Sequence, residues 1–248
     1  MIKQITHTFM LESMRNYGVG FGNVLPAFIF FIMSFIIKFV VNEETFQYMV
    51  KGQFLPVSIL LLLFSFAFSS ATIYLADMKA NRTFDWLKRT KVAPSTYYIG
   101  MGIGVFALVN IALILLLGCY KLLIDITWSN FLLILLMCNF VLLALYPLSF
   151  ILAGLFKNGK VAQSMLVPTM ILLMFSITMT TMFLTLAGKD PQQYFIFLVW
   201  NPMLYLNDSL QYYLGLTTNT WLPLYQYCII LAGWSLILML IARKVYPV

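Results

Sequence analysis

The segment from Gly154 to Lys160 has the glycine and lysine spacing of a phosphate-binding loop. In such a loop the backbone amides and the lysine hold nucleotide phosphates, and a Ser or Thr after the lysine binds Mg²⁺. Here Val161 follows the lysine, and the residues before Gly154 form an apolar run of membrane length rather than a strand. We therefore expect this chain to bind neither ATP nor Mg²⁺ and to carry no cofactor of its own.

Residues that could support acid–base, nucleophilic or metal chemistry are scattered along the chain. The single histidine, His7, has no cysteine near it, and the three cysteines lack the spacing of metal ligands. The eight carboxylates lie near or outside the ends of the apolar runs: Glu12, Glu43, Glu44, Asp77, Asp85, Asp125, Asp190 and Asp208. The sequence has no catalytic constellation and no acid pair of the kind that marks ion-coupled transporters. We expect a protein that is not an enzyme and that binds no metal.

The composition places these residues in a membrane protein. The chain is 62% hydrophobic and only 9% charged, against roughly 25% charged residues in soluble domains. Six apolar runs reach the length of about 20 residues that a membrane helix needs, at about 23–41, 53–76, 97–119, 130–156, 161–187 and 223–242. The alternating polarity of a membrane barrel is absent. A spanning chain must satisfy its backbone polar groups internally, so we predict an all-α membrane protein with six transmembrane helices.

The distribution of basic residues predicts the orientation. With the N-terminus inside, 11 of the 15 Lys and Arg residues lie on the inner side, namely Lys3, Arg15, Lys79, Arg82, Lys88, Arg89, Lys91, Lys157, Lys160, Arg243 and Lys244. The other four, Lys38, Lys51, Lys121 and Lys189, lie outside. Cytoplasmic loops carry the excess of Lys and Arg, so both termini are predicted to be cytoplasmic. The net charge of +7 then fits contact with anionic inner-leaflet lipid and gives no reason to expect a nucleic-acid partner.

Two segments flank this predicted bundle. Residues 1–22 place Ile2, Ile5 and Phe9 on one face, which predicts an amphipathic interfacial helix followed by a turn. Residues 23–248 then form a single six-span transmembrane domain. Residues 189–220 lie between the fifth and sixth runs and are too rich in aromatic residues for a solvated loop. We predict that they form an outer re-entrant hairpin of two short helices, broken at Asn201 and Pro202.

The fifth apolar run has a group of hydroxyl residues in its outer half: Ser176, Thr178, Thr180, Thr181 and Thr185. Such residues could line a polar path through the membrane. They also commonly bond to carbonyls one turn back in their own helix or lie at close helix contacts. We favour this second interpretation.

The most distinctive segment is a charged island at residues 77–91, between the second and third runs. It holds five of the 15 Lys and Arg residues. Phe84 and Leu87 are spaced to share one helix face with Trp86 beside them, while Asp85, Lys88 and Arg89 point elsewhere. The island is either a helix presented to a partner protein or an ordinary positive loop anchored by its tryptophan. Charge alone does not decide between them.

The order of these features resembles the permease subunits of ABC type-2 exporters. Those proteins have an N-terminal amphipathic elbow helix, six spans, and a coupling helix that starts with a Glu-Arg-Gly-Thr-like motif. Residues 81–88 read Asn-Arg-Thr-Phe-Asp-Trp-Leu-Lys, and residues 92–98 read Val-Ala-Pro-Ser-Thr-Tyr-Tyr, similar to the family's Pro-Leu-Ser-Tyr-like start of span three. Residues 200–205, Trp-Asn-Pro-Met-Leu-Tyr, match the Asn-Pro of the outer hairpin. The glycine that usually precedes the threonine is Arg82 here.

The resemblance implies a subunit without chemistry of its own in a bacterial cytoplasmic membrane. Its coupling helix, at about 77–92, would contact the ATPase through Phe84, Asp85, Trp86, Leu87, Lys88 and Arg89. Asn201, Pro202 and Tyr205 would belong to the hairpin that guards the exit. The implied partners are two copies of a cytoplasmic ABC ATPase, which would carry ATP and Mg²⁺, and a second permease that is identical or related.

Three functions are compared on this basis. The leading one is the ATP-driven export of a hydrophobic or amphipathic molecule, such as a peptide. The first alternative is a membrane immunity or sensor protein that binds an amphipathic ligand without an ATPase. The second, an enzyme that acts on lipid, is disfavoured because the sequence lacks a catalytic constellation.

Overall fold

The computed structural model describes residues 1–15, 17–83, 89 and 94–245. All secondary-structure elements of these residues are helical, with no strand among them. The predicted all-α fold is therefore confirmed for the described part of the chain. The N-terminal helix, Ile2–Arg15, precedes the apolar helices. Its location at a membrane interface stays a prediction.

Among the described residues, five helices are long and apolar enough to cross a membrane. They are span two (Glu43–Ala80), span three (Pro94–Lys121), span four (Trp128–Leu155), span five (Gly159–Leu186) and span six (Leu224–Val245). Span one, Tyr17–Ile37, contributes a shorter apolar stretch at Gly22–Ile37. The chain thus has five to six apolar helices where the sequence predicted six.

Span two is longer than predicted, because it begins at Glu43 rather than near residue 53. The Asn42 side chain caps its first turn by accepting a hydrogen bond of 2.9 Å from the Thr45 amide. Glu43 and Glu44 follow in that first turn. Asparagine caps and early acidic residues both stabilise the positive end of a helix. The continuous helix therefore extends beyond its apolar part.

Spans two and five are irregular, whereas the other spans are α-helical where they are described. Span two contains π-helical segments at Val50–Phe54 and Phe64–Ser70, and span five contains one at Ile171–Phe175. Pro168 lies just before the segment in span five. Short π-helical segments inside α-helices occur frequently at functional sites. We therefore expect the functional site to lie next to spans two and five.

Span four lies at the centre of the packing. It packs against spans two, three and six and against a short helix at Pro202–Tyr213. Met137, Val141 and Leu145 of this span are fully buried. Asn110 of span three and Asn139 of span four exchange two amide hydrogen bonds of 2.8 Å each. Polar pairs of this kind join helices within membranes.

The hydroxyl residues of span five mostly follow the favoured interpretation. Thr178 donates to the Met174 carbonyl at 3.1 Å, and Thr185 donates to the Thr181 carbonyl at 2.9 Å. These bonds run one turn back within the same helix. Such hydroxyls are occupied by their own backbone and do not require a polar path.

The connections divide the bundle into two ends. The basal end holds the N-terminal helix, the end of span six at Val245 and the span four–five link at residues 156–158, and Gly154 packs there against Val245. The distal end holds the turns after spans one and three and the residues between spans five and six. The described first part of the charged island, residues 77–83, lies at the basal end and the predicted hairpin at the distal end.

Candidate coupling site and distal hairpin

The predicted coupling residues lie mostly outside the part of the chain that the structure describes. This applies to Phe84, Asp85, Trp86, Leu87 and Lys88. The sixth, Arg89, is a helical residue with an exposed side chain. What the structure describes are the two flanks of the segment, which are the end of span two and the start of span three. Their contacts define the candidate coupling site.

The turn that leads out of span two has a left-handed residue. Asn81 caps the helix, and the Arg82 amide donates to the Lys79 carbonyl at 3.1 Å. Arg82 follows with a φ of +52°. Helices commonly end with a residue in this conformation, and glycine is preferred there because it lacks a Cβ. The backbone conformation at position 82 therefore favours glycine. The permeases that this chain resembles usually have glycine at this position, whereas this chain has arginine.

Two charged residues of the island bind the span four–five link. The Asp77 carboxylate accepts a hydrogen bond of 2.8 Å from the Gly159 amide at the start of span five. The Lys79 ammonium donates to the Gly154 carbonyl, and to the Phe156 carbonyl at 3.1 Å. Opposite charges thus meet the ends of two helices whose dipoles they complement. The end of span two is tied to the link between spans four and five.

The phosphate-loop-like motif is explained by this packing. A Cβ on Gly159 would overlap the Asp77 carboxylate, and a Cβ on Gly154 would lie 2.8 Å from the Val245 carbonyl oxygen. Both glycines are therefore needed for the close approach of neighbouring helices. The spacing that resembles a nucleotide site has a structural use at the basal end.

The N-terminal helix packs on span three at two glycines. The Thr6 hydroxyl donates to the Gly100 carbonyl at 2.7 Å. A Cβ on Gly100 would lie 2.9 Å from the Ile5 Cβ, and a Cβ on Gly104 would lie 2.7 Å from the Phe9 ring. Glycines four residues apart let membrane helices approach closely. This spacing was visible in the sequence, but we did not predict this contact from it.

The N-terminal helix also contacts span two. The Phe9 and Tyr74 rings meet edge to face with 5.4 Å between centroids. Glu12 also lies near the Tyr74 hydroxyl. One helix therefore contacts both spans that flank the predicted coupling segment. The N-terminal helix thereby connects spans two and three next to that segment.

We expect replacement of both Gly100 and Gly104 by alanine to release the N-terminal helix. The two methyl groups would overlap Ile5 and Phe9, and overpacking of this kind costs about 1–3 kcal/mol. Hydrogen exchange of the Ile2–Arg15 amides should rise clearly in the variant. Gly118→Ala is the matched control, because no atom of the described residues lies within 4 Å of its added Cβ. Unchanged exchange in the double variant would show that this contact does not hold the helix.

A cavity of about 880 Å³ opens at the basal end between the N-terminal helix and spans one, two and five. The second π-helical segment of span two contributes Phe64 and Ser65 to its wall. Glu12, Arg15 and Asp77 bring charge to the same space. We call this space the basal cavity. Its wall contains residues of the irregular spans two and five and residues that flank the predicted coupling segment.

At the distal end, Pro191–Leu198 forms a 3₁₀-helix and Pro202–Tyr213 an α-helix, which together we call the distal hairpin. The two helices are separated by residues 199–201, and the re-entry of this hairpin into the membrane stays a prediction. Asn201 is fully buried and caps the second helix by accepting from the Met203 amide at 3.0 Å. Its amide group donates to the Leu173 carbonyl at 2.6 Å. Leu173 lies in the π-helical segment of span five, so Asn201 connects the hairpin to that irregular turn.

The other predicted hairpin residues are also buried. Tyr205 is 2% exposed, its hydroxyl donates to the Val199 carbonyl at 2.9 Å, and its ring packs on Tyr227 of span six. Pro202 is buried in the first turn of the helix. The structure therefore brings Asn201, Pro202 and Tyr205 together. Their contacts attach the hairpin to its neighbours rather than line an open passage.

Sequence reasoning missed a further buried polar residue of this region, Asp208, whose side chain accepts three hydrogen bonds. Its carboxylate, 2% exposed, accepts from the Tyr227 hydroxyl at 2.6 Å, the Trp221 amide at 2.9 Å and the Gln192 side-chain amide at 3.1 Å. Burial raises the pKa of Asp208 above its ordinary value, while these three hydrogen bonds act in the opposite direction. Asp208 joins both halves of the hairpin to span six. The signal available in the sequence was that Asp208 is an isolated acidic residue within an aromatic segment.

The helical architecture and the comparison with known families agree on the class of protein. The described helices define a multi-pass membrane protein. The family described as ABC-2 family transporter protein matches residues 41–244. The chain belongs to this family and is a membrane permease subunit of an ABC transporter, which implies partnership with an ABC ATPase. A comparison with curated proteins gives no match.

Proposed function

We propose that the chain is the permease subunit of an ATP-driven exporter in a bacterial cytoplasmic membrane. It moves a hydrophobic or amphipathic molecule, such as a peptide, outward across that membrane. Two cytoplasmic ATPase subunits supply the energy and hold ATP and Mg²⁺, and a second permease, identical or related, completes the path. The observation that carries this proposal is the set of contacts at the basal end, where both flanks of the charged island are fixed to neighbouring helices.

The orientation in this proposal follows the charges. The basal end faces the cytoplasm with both termini, and the distal hairpin faces outward. Lys79, Arg82 and Arg89 of the island and Arg243 and Lys244 at the end of span six support this arrangement, because all five lie at the basal end. The ATPase therefore meets the island from the cytoplasmic side.

In the proposed coupling step, Phe84, Trp86 and Leu87 occupy a groove on the ATPase. Asp85, Lys88 and Arg89 pair with charges around its rim. When ATP draws the ATPase subunits together, the island moves and takes both of its flanks with it. The Asp77–Gly159 bond transfers this movement to span five, and the N-terminal helix transfers it to span three. Packed helices move as rigid bodies in such transitions.

The distal hairpin closes the outer end of the path in this proposal. Its attachment to span five through Asn201 and to span six through Asp208 supports this role. A displacement of span five at the basal end would reach the hairpin through the π-helical turn that holds Leu173. The exit thereby opens in response to the ATPase rather than independently of it.

Site-specific crosslinking tests the proposed function. In a variant without Cys119, Cys138 and Cys228, we expect Arg89→Cys to crosslink to an ABC ATPase when a photoactivatable thiol reagent is used in native membranes. Because the Arg89 side chain is exposed, the reagent can reach a cysteine at this position. Glu44→Cys, which is exposed at the distal end, should give no such product. Mass spectrometry of the crosslinked bands identifies the partner.

The opposite results have distinct meanings. A crosslink from position 44 and none from position 89 would reverse the orientation. Absence of an ATPase from both products, with the protein intact in the membrane, would favour the immunity or sensor protein that acts without an ATPase.

A further inference from the structure

A small polar cavity lies where the distal hairpin meets spans two and five, and we call it the distal cavity. Polar side chains from all three elements line it: Gln53, Thr178, Thr181, Asn207 and Gln211. Gln53 belongs to the first π-helical segment of span two, and the helix Pro202–Tyr213 supplies the hairpin residues. The cavity has room for about one water molecule. It differs from the surrounding core, which is mostly apolar among the described residues.

Two of these polar side chains are buried and carry an unpaired group. Asn207 is 2% exposed and Thr181 is 7% exposed. Neither the Asn207 side-chain nitrogen nor the Thr181 hydroxyl has a hydrogen-bond partner among the described residues. The Thr178 hydroxyl on the same wall donates to the Met174 carbonyl instead. Buried polar groups are nearly always bonded to protein or to ordered water, so the two unpaired groups indicate a bound partner.

A third unpaired group lies next to this cavity. The Thr217 hydroxyl is buried without a partner among the described residues. The Thr217 amide donates to the Gln211 carbonyl at 3.4 Å, and the preceding residue, Leu216, would lie 3.5 Å from a Cβ on Gly52 in the cavity wall. Because a buried water forms two to four hydrogen bonds, a single bound molecule can satisfy more than one group at this junction.

The chemistry of the wall favours water over other small ligands. Among the described residues, no acidic or basic side chain lines the distal cavity, so an ion would find no opposite charge there. The Asn207 amide nitrogen can only donate a hydrogen bond, whereas the Thr181 hydroxyl can donate or accept. A water molecule can accept from the amide and form the complementary bond to the hydroxyl. It is also the ligand that matches the size of the space.

We infer that the distal cavity binds an ordered water molecule that bridges the hairpin to span five. The water accepts from the Asn207 amide and bonds to the Thr181 hydroxyl. Gln53 on the same wall brings span two to this site, and the hairpin helix packs on span two. The hairpin thereby contacts the span whose basal end leads into the predicted coupling segment. Only the use of this contact in opening the exit rests on the proposed function.

The test uses two substitutions that keep the approximate shape of the side chain, Thr181→Val and Asn207→Leu. If one water joins these residues, each substitution removes a partner of that water. We expect each to lower the melting temperature of the full-length chain in detergent by roughly 2–4 °C. Because both side chains bind the same molecule, the double variant should lose clearly less than the sum of the two. Thr185→Val is the matched control, because the Thr185 hydroxyl bonds only to its own helix among the described residues, and it should change little.

An empty cavity predicts the opposite sign. Apolar side chains would then replace unpaired polar groups, and the melting temperature would rise. An unchanged or raised melting temperature in either single variant, or additive losses in the double variant, would overturn the inference.

A crystal structure of the full-length chain, at a resolution that shows ordered waters, gives a second measurement. We expect water density within about 3.2 Å of the Asn207 side-chain amide. Absence of that density beside a well-resolved Asn207 would also overturn the inference. None of these results changes the crosslink from position 89 to the ATPase, so the inference and the proposed function fail separately.

Discussion

Replacing both Phe84 and Leu87 by alanine should abolish co-purification of the ATPase with this chain. If the island is a coupling helix, these side chains are buried anchors in the partner. Truncating one such anchor costs about 2 kcal/mol or more of binding, which is roughly 30-fold in Kd. The permease should still fold, because most of the buried residues in the described part of the chain lie in the spans and the distal hairpin. Affinity purification from detergent followed by an ATPase assay measures the loss.

Charge reversal within the same segment is the matched comparison. Lys88→Glu with Arg89→Glu should have a smaller effect on the complex, because charges at the rim of an interface mainly change association rates and salt dependence. A topogenic loop would respond in the opposite way. The reversed charges would then disturb membrane insertion, and the alanine substitutions at positions 84 and 87 would have no effect. That pattern would refute the coupling role of the island.

Replacing Asp208 by alanine should strongly destabilise the distal hairpin. The substitution leaves the Tyr227 hydroxyl and the Trp221 amide without their acceptor, and it removes one of the two acceptors of the Gln192 side-chain amide. A buried polar group without a partner costs about 1–3 kcal/mol, so we expect a total loss of about 3 kcal/mol or more. In soluble domains of comparable length this lowers the melting temperature by roughly 6–12 °C. Thermal unfolding in detergent, followed by tryptophan fluorescence, measures the change.

Asp208→Asn provides the graded control. Asparagine retains one acceptor oxygen and introduces an amide group that faces one of the three donors, so its effect should be intermediate. Asp190→Asn changes a carboxylate nearby that is exposed and accepts only from the Gln192 backbone amide among the described residues. It should be almost silent. Equal melting temperatures for the alanine variant and the unmodified chain would show that Asp208 does not hold the hairpin.

The hairpin and the basal end also illustrate which interactions the sequence could predict. The break at Asn201 and Pro202 was predictable, because asparagine caps a helix and proline is favoured in its first turn. The bond from Asn201 to the Leu173 carbonyl joins residues 28 positions apart, and no local pattern indicates it. The same applies to the contact between the N-terminal helix and Gly100, which is 94 positions from Thr6.

The π-helical segments were not predictable for a related reason. The hydropathy of Val50–Phe54 or Ile171–Phe175 is the same whether the turn is α-helical or π-helical. The wider turn depends on a neighbour that accepts or donates the displaced hydrogen bonds. In span five that neighbour is Asn201 of the distal hairpin.

The sequence alone determined the membrane location, the helical class and the family. Run length, charge asymmetry and motif order can be recognised along the chain without knowledge of its packing. Because a bilayer requires internal backbone hydrogen bonds, an apolar run of sufficient length predicts a helix. The charge asymmetry predicts the orientation of these helices. Only the tertiary structure decided which charges are paired and which glycines are contacts. It placed Asp77 on the Gly159 amide, Asp208 among three donors, and Glu12 beside a cavity. These roles depend on distances between segments remote in the chain, which packing alone sets.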